Sequence, residues 1–283
     1  MCSLCNNTSM TSVQFEAAAK ALSIQARREI LQMTHDAGAS HVGSALSVVD
    51  ILCAIYSGSL NISCENYSEI DRDIVILSKG HACTALYAVL SLTGFFPKNW
   101  LRKYSSNGSE LGGHVTSGYI PGVELSTGSL GHGMPYGLGI SLARKRNMVS
   151  GKTYVVMSDG ECDEGTTWES ALIANHFGLD NICVIIDRNN LQSMGSTEST
   201  IALEPFAEKW KAFGWHVIEI NGHNFEELLE ALKSISNKPT CIIANTIKGK
   251  GVDFMEDSVV WHYRPPTEKD LVKALEQIED IKS

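Results

Sequence analysis

The chain has 283 residues, 43% of them hydrophobic, with a formal net charge of −9 and a pI near 5.5. That is enough apolar material for one large core, and the acidic balance, without a basic stripe, speaks against nucleic acid as a partner. No apolar run approaches the ~20 residues of a membrane span, and the opening MCSLCNNTSM lacks the basic and apolar regions of a signal peptide.

Residues 1–10 read as a disordered tail, and residues 11–283 as a single domain. Cys2 and Cys5 form a C-x-x-C, but no second pair follows at zinc-like spacing. Of the eight cysteines several lie inside apolar segments, as reduced thiols do, which suits the cytoplasm. Residues 11–37 predict a long helix with Phe15, Ala18, Ala19, Leu22 and Ala26 on its apolar face, and with Arg27, Arg28 and Glu29 as a wet patch. A small-residue loop holds His41 and Gly43. Ser44 or Ser47 is placed to cap the next helix, which carries Val48, Ile51, Leu52 and Ile55.

Residues 74–77 (IVIL) predict a short buried strand ending in Ser78-Lys79-Gly80-His81, with a helix following at once. The stretch 105–133 is rich in Gly and Ser and long for a plain connection, as functional loops are. It carries His114 and His132, each beside glycine, whose backbone N–H groups suit anions. Residues 133–147 predict a helix with a small face (Gly137, Gly139, Ala143) for close packing.

The central unit is 153–192. An apolar strand, 154–157, stops at Ser158-Asp159-Gly160. A helix follows, with Thr166 and Glu169 spaced as a capping box and Trp168, Ala171, Leu172 and Asn175 on one face, and Gly178 suits a left-handed cap. A second strand, 182–186, runs into Asp187-Arg188-Asn189-Asn190. Two strands joined by a helix are most simply parallel, so both end at the same sheet edge, where open α/β sheets bind ligands. Alone, Asp-Gly and Asn-Asn are ordinary turns. Together they place a carboxylate, an amide oxygen and a carbonyl within reach of one Mg²⁺, with room for phosphate oxygens, and Gly160 lets backbone approach a diphosphate.

Beyond this unit come a helix at 206–213, a strand at 216–220, a helix through Phe225, Leu228, Leu229 and Leu232, and a strand at 240–244. The last strand ends in the basic, Gly-rich Thr246-Ile247-Lys248-Gly249-Lys250-Gly251, again suited to phosphate. A final helix from about Glu268, capped by Thr267, has Leu271, Val272, Leu275, Ile278 and Ile281 inward. Alternating strands and helices give a doubly wound, mostly parallel α/β sheet with helices on both faces. His41, His81, His114, His132 and His262 all fall in loops or at element ends, where imidazole can move protons near neutral pH. None is spaced with other ligands for zinc.

The segments DRDIVILSKGHACTALYAVL, PGVELSTGSLGHG, SDGECDEGTTWESALIANH, VIIDRNNLQ and TIKGKGVDFMEDSVVWH resemble, in order, the diphosphate-binding domain of the transketolase family. The resemblance implies thiamine diphosphate and Mg²⁺ (or Ca²⁺ or Mn²⁺) as cofactors, with Asp159, Asn189 and the Leu191 carbonyl on the metal. It implies that Gly160, His81 and His262 approach the diphosphate, and that Leu130, His132, Glu161, Asp187 and Lys248 complete the cofactor pocket. His41, His81, His114 and His262 are the implied catalytic histidines, orienting sugar hydroxyls and moving protons. His132 stands where the family commonly has glutamine, and Tyr263 follows His262 where many members have glycine. The family activates its cofactor with a glutamate from a second domain, for which too few residues follow Trp261. The chain therefore reads as the N-terminal subunit of a split transketolase. Its partner carries the pyrimidine-binding and C-terminal domains in an α2β2 heterotetramer, and its substrates are sugar phosphates of the pentose phosphate pathway or of a specialised one. The acids Glu161, Asp163 and Glu164 are expected either on the partner surface or at a solvated helix N-terminus, and Cys162 is the thiol expected to be open to oxidation. Rival readings are the α-type half of a 2-oxo-acid dehydrogenase, half of a deoxyxylulose-phosphate synthase, or a non-catalytic paralogous subunit.

Overall fold

Five apolar runs form five strands of one sheet: β1 (Ile74–Leu77), β2 (Thr153–Ser158), β3 (Ile182–Arg188), β4 (His216–Asn221) and β5 (Thr240–Asn245). The order is β1-β2-β3-β5-β4 and every pairing is parallel. This is a computed structural model that describes residues 11–234 and 236–280. The expected tail, its Cys2 and Cys5, and Ile281 lie outside them.

Helices cover both faces. On one side lie α1 (Ser12–Asp36), α2 (Val42–Ala54), α3 (Cys83–Leu92), α8 (Phe225–Lys233) and α9 (Glu268–Asp280). On the other lie α4 (Gly133–Arg146), α5 (Gly165–His176) and α7 (Phe206–Ala212), while α6 (Thr197–Thr200) is a single turn after β3. Strand side chains alternate between the two cores: Tyr154 and Val156 face the first, Val155 and Met157 the second. A sheet covered on both faces requires such unbroken apolar strands. Gly137 of α4 lies so close to β2 that a Cβ there would stand 2.6 Å from Val155.

Several local expectations are corrected. Arg27 and Glu29 are buried rather than wet, because each finds an opposite charge from a distant element. Arg27 makes two 2.7 Å hydrogen bonds to Asp50, and Glu29 meets Lys98 and Arg102 at 2.7 and 2.8 Å. Neither Ser44 nor Ser47 caps α2. His41 takes the cap position in the left-handed region (φ 73°), and Ser47 is spent on Asp187. Thr166 forms no capping box, since its hydroxyl donates to the Gly131 carbonyl at 2.7 Å. Leu172 and Val272 are exposed, because the buried stripes of α5 and α9 run through Ala171 and Ala174 and through Leu271, Ala274 and Ile278. Residues Val42–Ser59 form one helical stretch long and apolar enough to cross a membrane by length and composition, contrary to expectation, but 89% of it is buried in the first core.

Candidate active site

The parallel arrangement brings the C-terminal ends of β1, β2, β3 and β5 to one edge. Ser158 of β2 pairs in register with Asp187 of β3, so the turns after them are neighbours. Asp159 is buried, and its two oxygens accept from the Gly160 and Asn190 amides, each at 2.7 Å. Burial and the nearby Asp187 carboxylate push its pKa up to about 6, against the pull of Arg188 and the two amides. Asn190 adopts φ 62°, a left-handed conformation that asparagine tolerates. Asn189 accepts from the Leu191 amide at 3.2 Å through its side-chain oxygen.

Asp187 is the hub beneath. It accepts from Ser47 Oγ at 2.6 Å, from Thr246 Oγ1 and from the Lys79 ammonium, joining α2, the β5 loop and the β1 loop. Burial alone would raise its pKa, but Lys79 and the hydroxyls hold it below the usual carboxylate value. Lys79 is itself fully buried.

Glu161 is not on a partner surface. It is buried and accepts from Ser78 Oγ and from the Gly131 and Ser158 amides, at 2.9 and 3.3 Å, tying three loops together. Asp163 accepts from Gln192 at 2.7 Å and only Glu164 is exposed, so the three acids share no common face. Cys162 does not meet the expectation of a reactive thiol. It is buried, and burial with Glu161, Asp159 and Asp163 raises its pKa, where reactivity needs the thiolate.

Four of the five loop histidines converge. The His41 ring lies 5.3 Å from His81, 5.8 Å from His114 and 5.1 Å from His262, centre to centre. Each comes from a different segment, and the His41 amide donates to the His262 carbonyl at 2.8 Å. Burial, His114, Lys248 and Lys79 bring His41 down to about 4. Burial, Lys248 and His41 bring His262 to about 3, and His81 is lowered too by burial and Lys79. These three rings are therefore neutral at pH 7. Lys248 enters from the β5 loop, its ammonium donating to the Leu191 and Gln192 carbonyls at 3.2 and 3.3 Å and to His262 Nδ1 at 3.0 Å. Burial and Lys79 lower its pKa to about 8.

A cavity of about 270 Å³ joins these groups. Ten sequence-predicted residues line it: His41, His81, His114, Leu130, Asp159, Gly160, Asn189, Leu191, Lys248 and His262. Asp187 and Glu161 support it from below. His132 is exposed, with Nδ1 3.0 Å from the Leu130 carbonyl, and does not line it. Sequence reasoning passed over Lys79, Ser44, Gln192 and Ser193 as lining residues, while Tyr263, singled out as a departure after His262, does line the cavity. The SKGH segment was a usable signal for Lys79, which sits two residues before His81.

The donor set fits a diphosphate held through a divalent cation. Among the described residues no group of three or more His, Cys, Asp or Glu could hold a metal, so a cation here would rely on one carboxylate with amide and carbonyl oxygens, the hard mixed set that Mg²⁺ accepts. Asp159 is a buried carboxylate whose charge burial disfavours, and a cation would relieve it. Lys248 supplies local positive charge at the cavity, while Lys79 is paired with Asp187.

Residues 19–278 match the family model described as transketolase, thiamine diphosphate binding domain. The chain belongs to the transketolase family. It is 38% identical over 257 residues to a subunit of the apulose-4-phosphate transketolase of Phocaeicola vulgatus, covering 90% of this chain and 91% of that one. It is 38% identical over 256 residues to the 6-deoxy-6-sulfo-D-fructose transketolase subunit SqwG of Clostridium sp., covering 89% and 93%. The crystal structure of transketolase from Campylobacter jejuni superposes with a TM-score of 0.86 at 30% identity, over 95% of this chain but 43% of that one. As a transketolase-family chain it thus matches subunit-length relatives nearly end to end and spans less than half of the Campylobacter transketolase.

Proposed function

We propose that this chain is the N-terminal subunit of a split transketolase. It moves a two-carbon ketol unit from a ketose phosphate to an aldose or aldose phosphate, together with a separate subunit carrying the pyrimidine-binding and C-terminal domains. Residues 11–283 act as one diphosphate-binding domain in a cytoplasmic α2β2 assembly. The observation that carries this is the meeting of Asp159, Asn189 and the Leu191 carbonyl with four histidines in one cavity. Asp159, Asn189 and Leu191 would hold Mg²⁺ (or Ca²⁺ or Mn²⁺), and Gly160, Lys248, His81 and His262 the diphosphate. Bound thiamine diphosphate supplies the electron sink that lets a carbon–carbon bond beside a ketone break and re-form.

The chain's own part is binding, orientation and proton traffic. Imidazole nitrogens bind hydroxyls and move protons, so His41, His81, His114 and His262 can hold sugar hydroxyls and pass protons among them. Lys248 offsets phosphate charge, and Lys79 holds Asp187 beneath it. The group that activates the cofactor's aminopyrimidine comes from the partner. That relatives of the same length are named as transketolase subunits, not as whole transketolases, supports a second chain. Those names also favour a specialised sugar over the common pentose phosphates as a second reading.

The test is ketol transfer by the purified chain with Mg²⁺ and thiamine diphosphate, alone and with its co-purifying partner, on pentose phosphates and then on branched or modified sugars. The expected result is silence alone and turnover together. Turnover by the chain alone would sink the half-enzyme reading. Silence in both with cofactor bound would favour a non-catalytic role.

A further inference from the structure

The loop that delivers Lys248 is held from behind by three residues that do not line the cavity. His223 Nε2 accepts from the Ile247 amide at 2.8 Å. An amide can only donate, so Nε2 carries the lone pair, the ring proton sits on Nδ1, and Nδ1 donates to Asp50 Oδ2 at 2.8 Å. The same carboxylate takes both Arg27 terminal nitrogens at 2.7 Å, and Arg27 Nε turns back to the Lys250 carbonyl at 3.1 Å. The loop is therefore gripped one residue before Lys248 and two residues after it, and Asp50 joins the grips. The Gly249 amide adds a bond to the Gly43 carbonyl at 3.0 Å, at the start of the helix that carries Asp50. Arg27 and Asp50 are both buried, and a charge pair so placed enforces one geometry when every member is satisfied.

We infer that Arg27, Asp50 and His223 are positioning residues, a clamp that fixes the 247–250 loop so that Lys248 reaches His262 and the Leu191 carbonyl. They touch nothing in the cavity and act only through the loop. The clamp stands on this chain's geometry alone; its use for cofactor binding rests on the proposed function.

The test reads lysine accessibility first. The free full-length chain is labelled with an amine acylating reagent and rates are taken by mass spectrometry. Exposed Lys145 serves as the reference and buried Lys79 as the control for general loosening. His223→Leu and Asp50→Asn are expected to raise Lys248 labelling at least tenfold while Lys79 stays protected, and His223→Gln, which keeps an acceptor for the Ile247 amide, to restore it within about twofold of wild type. Lys248 labelling unchanged in folded His223→Leu and Asp50→Asn, or rising in step with Lys79, overturns the clamp. Thiamine diphosphate affinity with Mg²⁺ is then titrated by fluorescence on the same variants. Released Lys248 with weakened binding supports both the clamp and its use. Released Lys248 with unchanged binding leaves the clamp standing and removes Lys248 from the cofactor reading.

Discussion

Asp159 and Asp187 end adjacent strands of one sheet, yet their surroundings push them in opposite directions. Asp187 is held below its ordinary pKa by Lys79 and hydroxyl donors, while Asp159 is raised to about 6 by burial and by Asp187, which outweigh Arg188 at 3.5 Å. The neutralised carboxylate is structural. The other carries a charge that burial disfavours even beside Arg188, and this supports its proposed role as a metal ligand.

Asp159→Ala should therefore remove cation-dependent cofactor binding and turnover with little change in fold. The loss should exceed the ~100-fold typical of losing an outer-shell partner. Calorimetric titration of Mg²⁺ with thiamine diphosphate, beside circular dichroism, checks both halves. Unchanged affinity would falsify the metal assignment.

Lys79→Met should act on stability before it acts on activity. It strands the buried Asp187 without its counter-ion, a loss of about 3–5 kcal/mol for broken buried pairs. Lys79→Met with Asp187→Leu should recover part of that loss. Urea denaturation of the cofactor-free chain measures both, and a single variant as stable as wild type would contradict the hub role.

The histidine cluster makes an acid-side prediction. His41 is lowered from 6.5 to about 4, so between those values the unfolded chain binds a proton that the folded chain refuses. Stability from this ring is complete above pH 6.5 and declines as pH falls towards 4. Asp159, raised to about 6, works the other way over an overlapping range, so the comparison must be differential. His41→Asn should show a shallower fall in melting temperature from pH 7 to 5 than wild type. Parallel curves would mean that the ring titrates normally.

Much of this was legible because the inner strands of this sheet are buried on both faces and read as continuous apolar runs, while their ends carry the turn residues that bear chemistry. Asp159, Asn189 and the basic β5 loop were placed that way. Charged residues inside helices were not legible. Arg27 and Glu29 look like solvent contacts until Asp50, Lys98 and Arg102 are brought to them, and no local pattern encodes those meetings. Glu161 misled for the same reason: an acid beside an anion site reads as repelled, whereas its three donors come from Ser78, Gly131 and Ser158. Leu172 misled oppositely, since a periodic apolar residue need not be covered by its own chain.

The floor of the cavity is fixed by Asp187, Lys79 and Glu161, all buried and cross-linked to separate loops. Its mouth carries Tyr263, 60% exposed, whose ring meets the His262 and His41 rings at 4.7 and 6.3 Å. Substitution at the mouth leaves the anchoring of the floor intact. On the proposed function, substrate preference can therefore be altered at this mouth at little risk to folding, and libraries aimed at new sugars belong at position 263 rather than among the buried residues below.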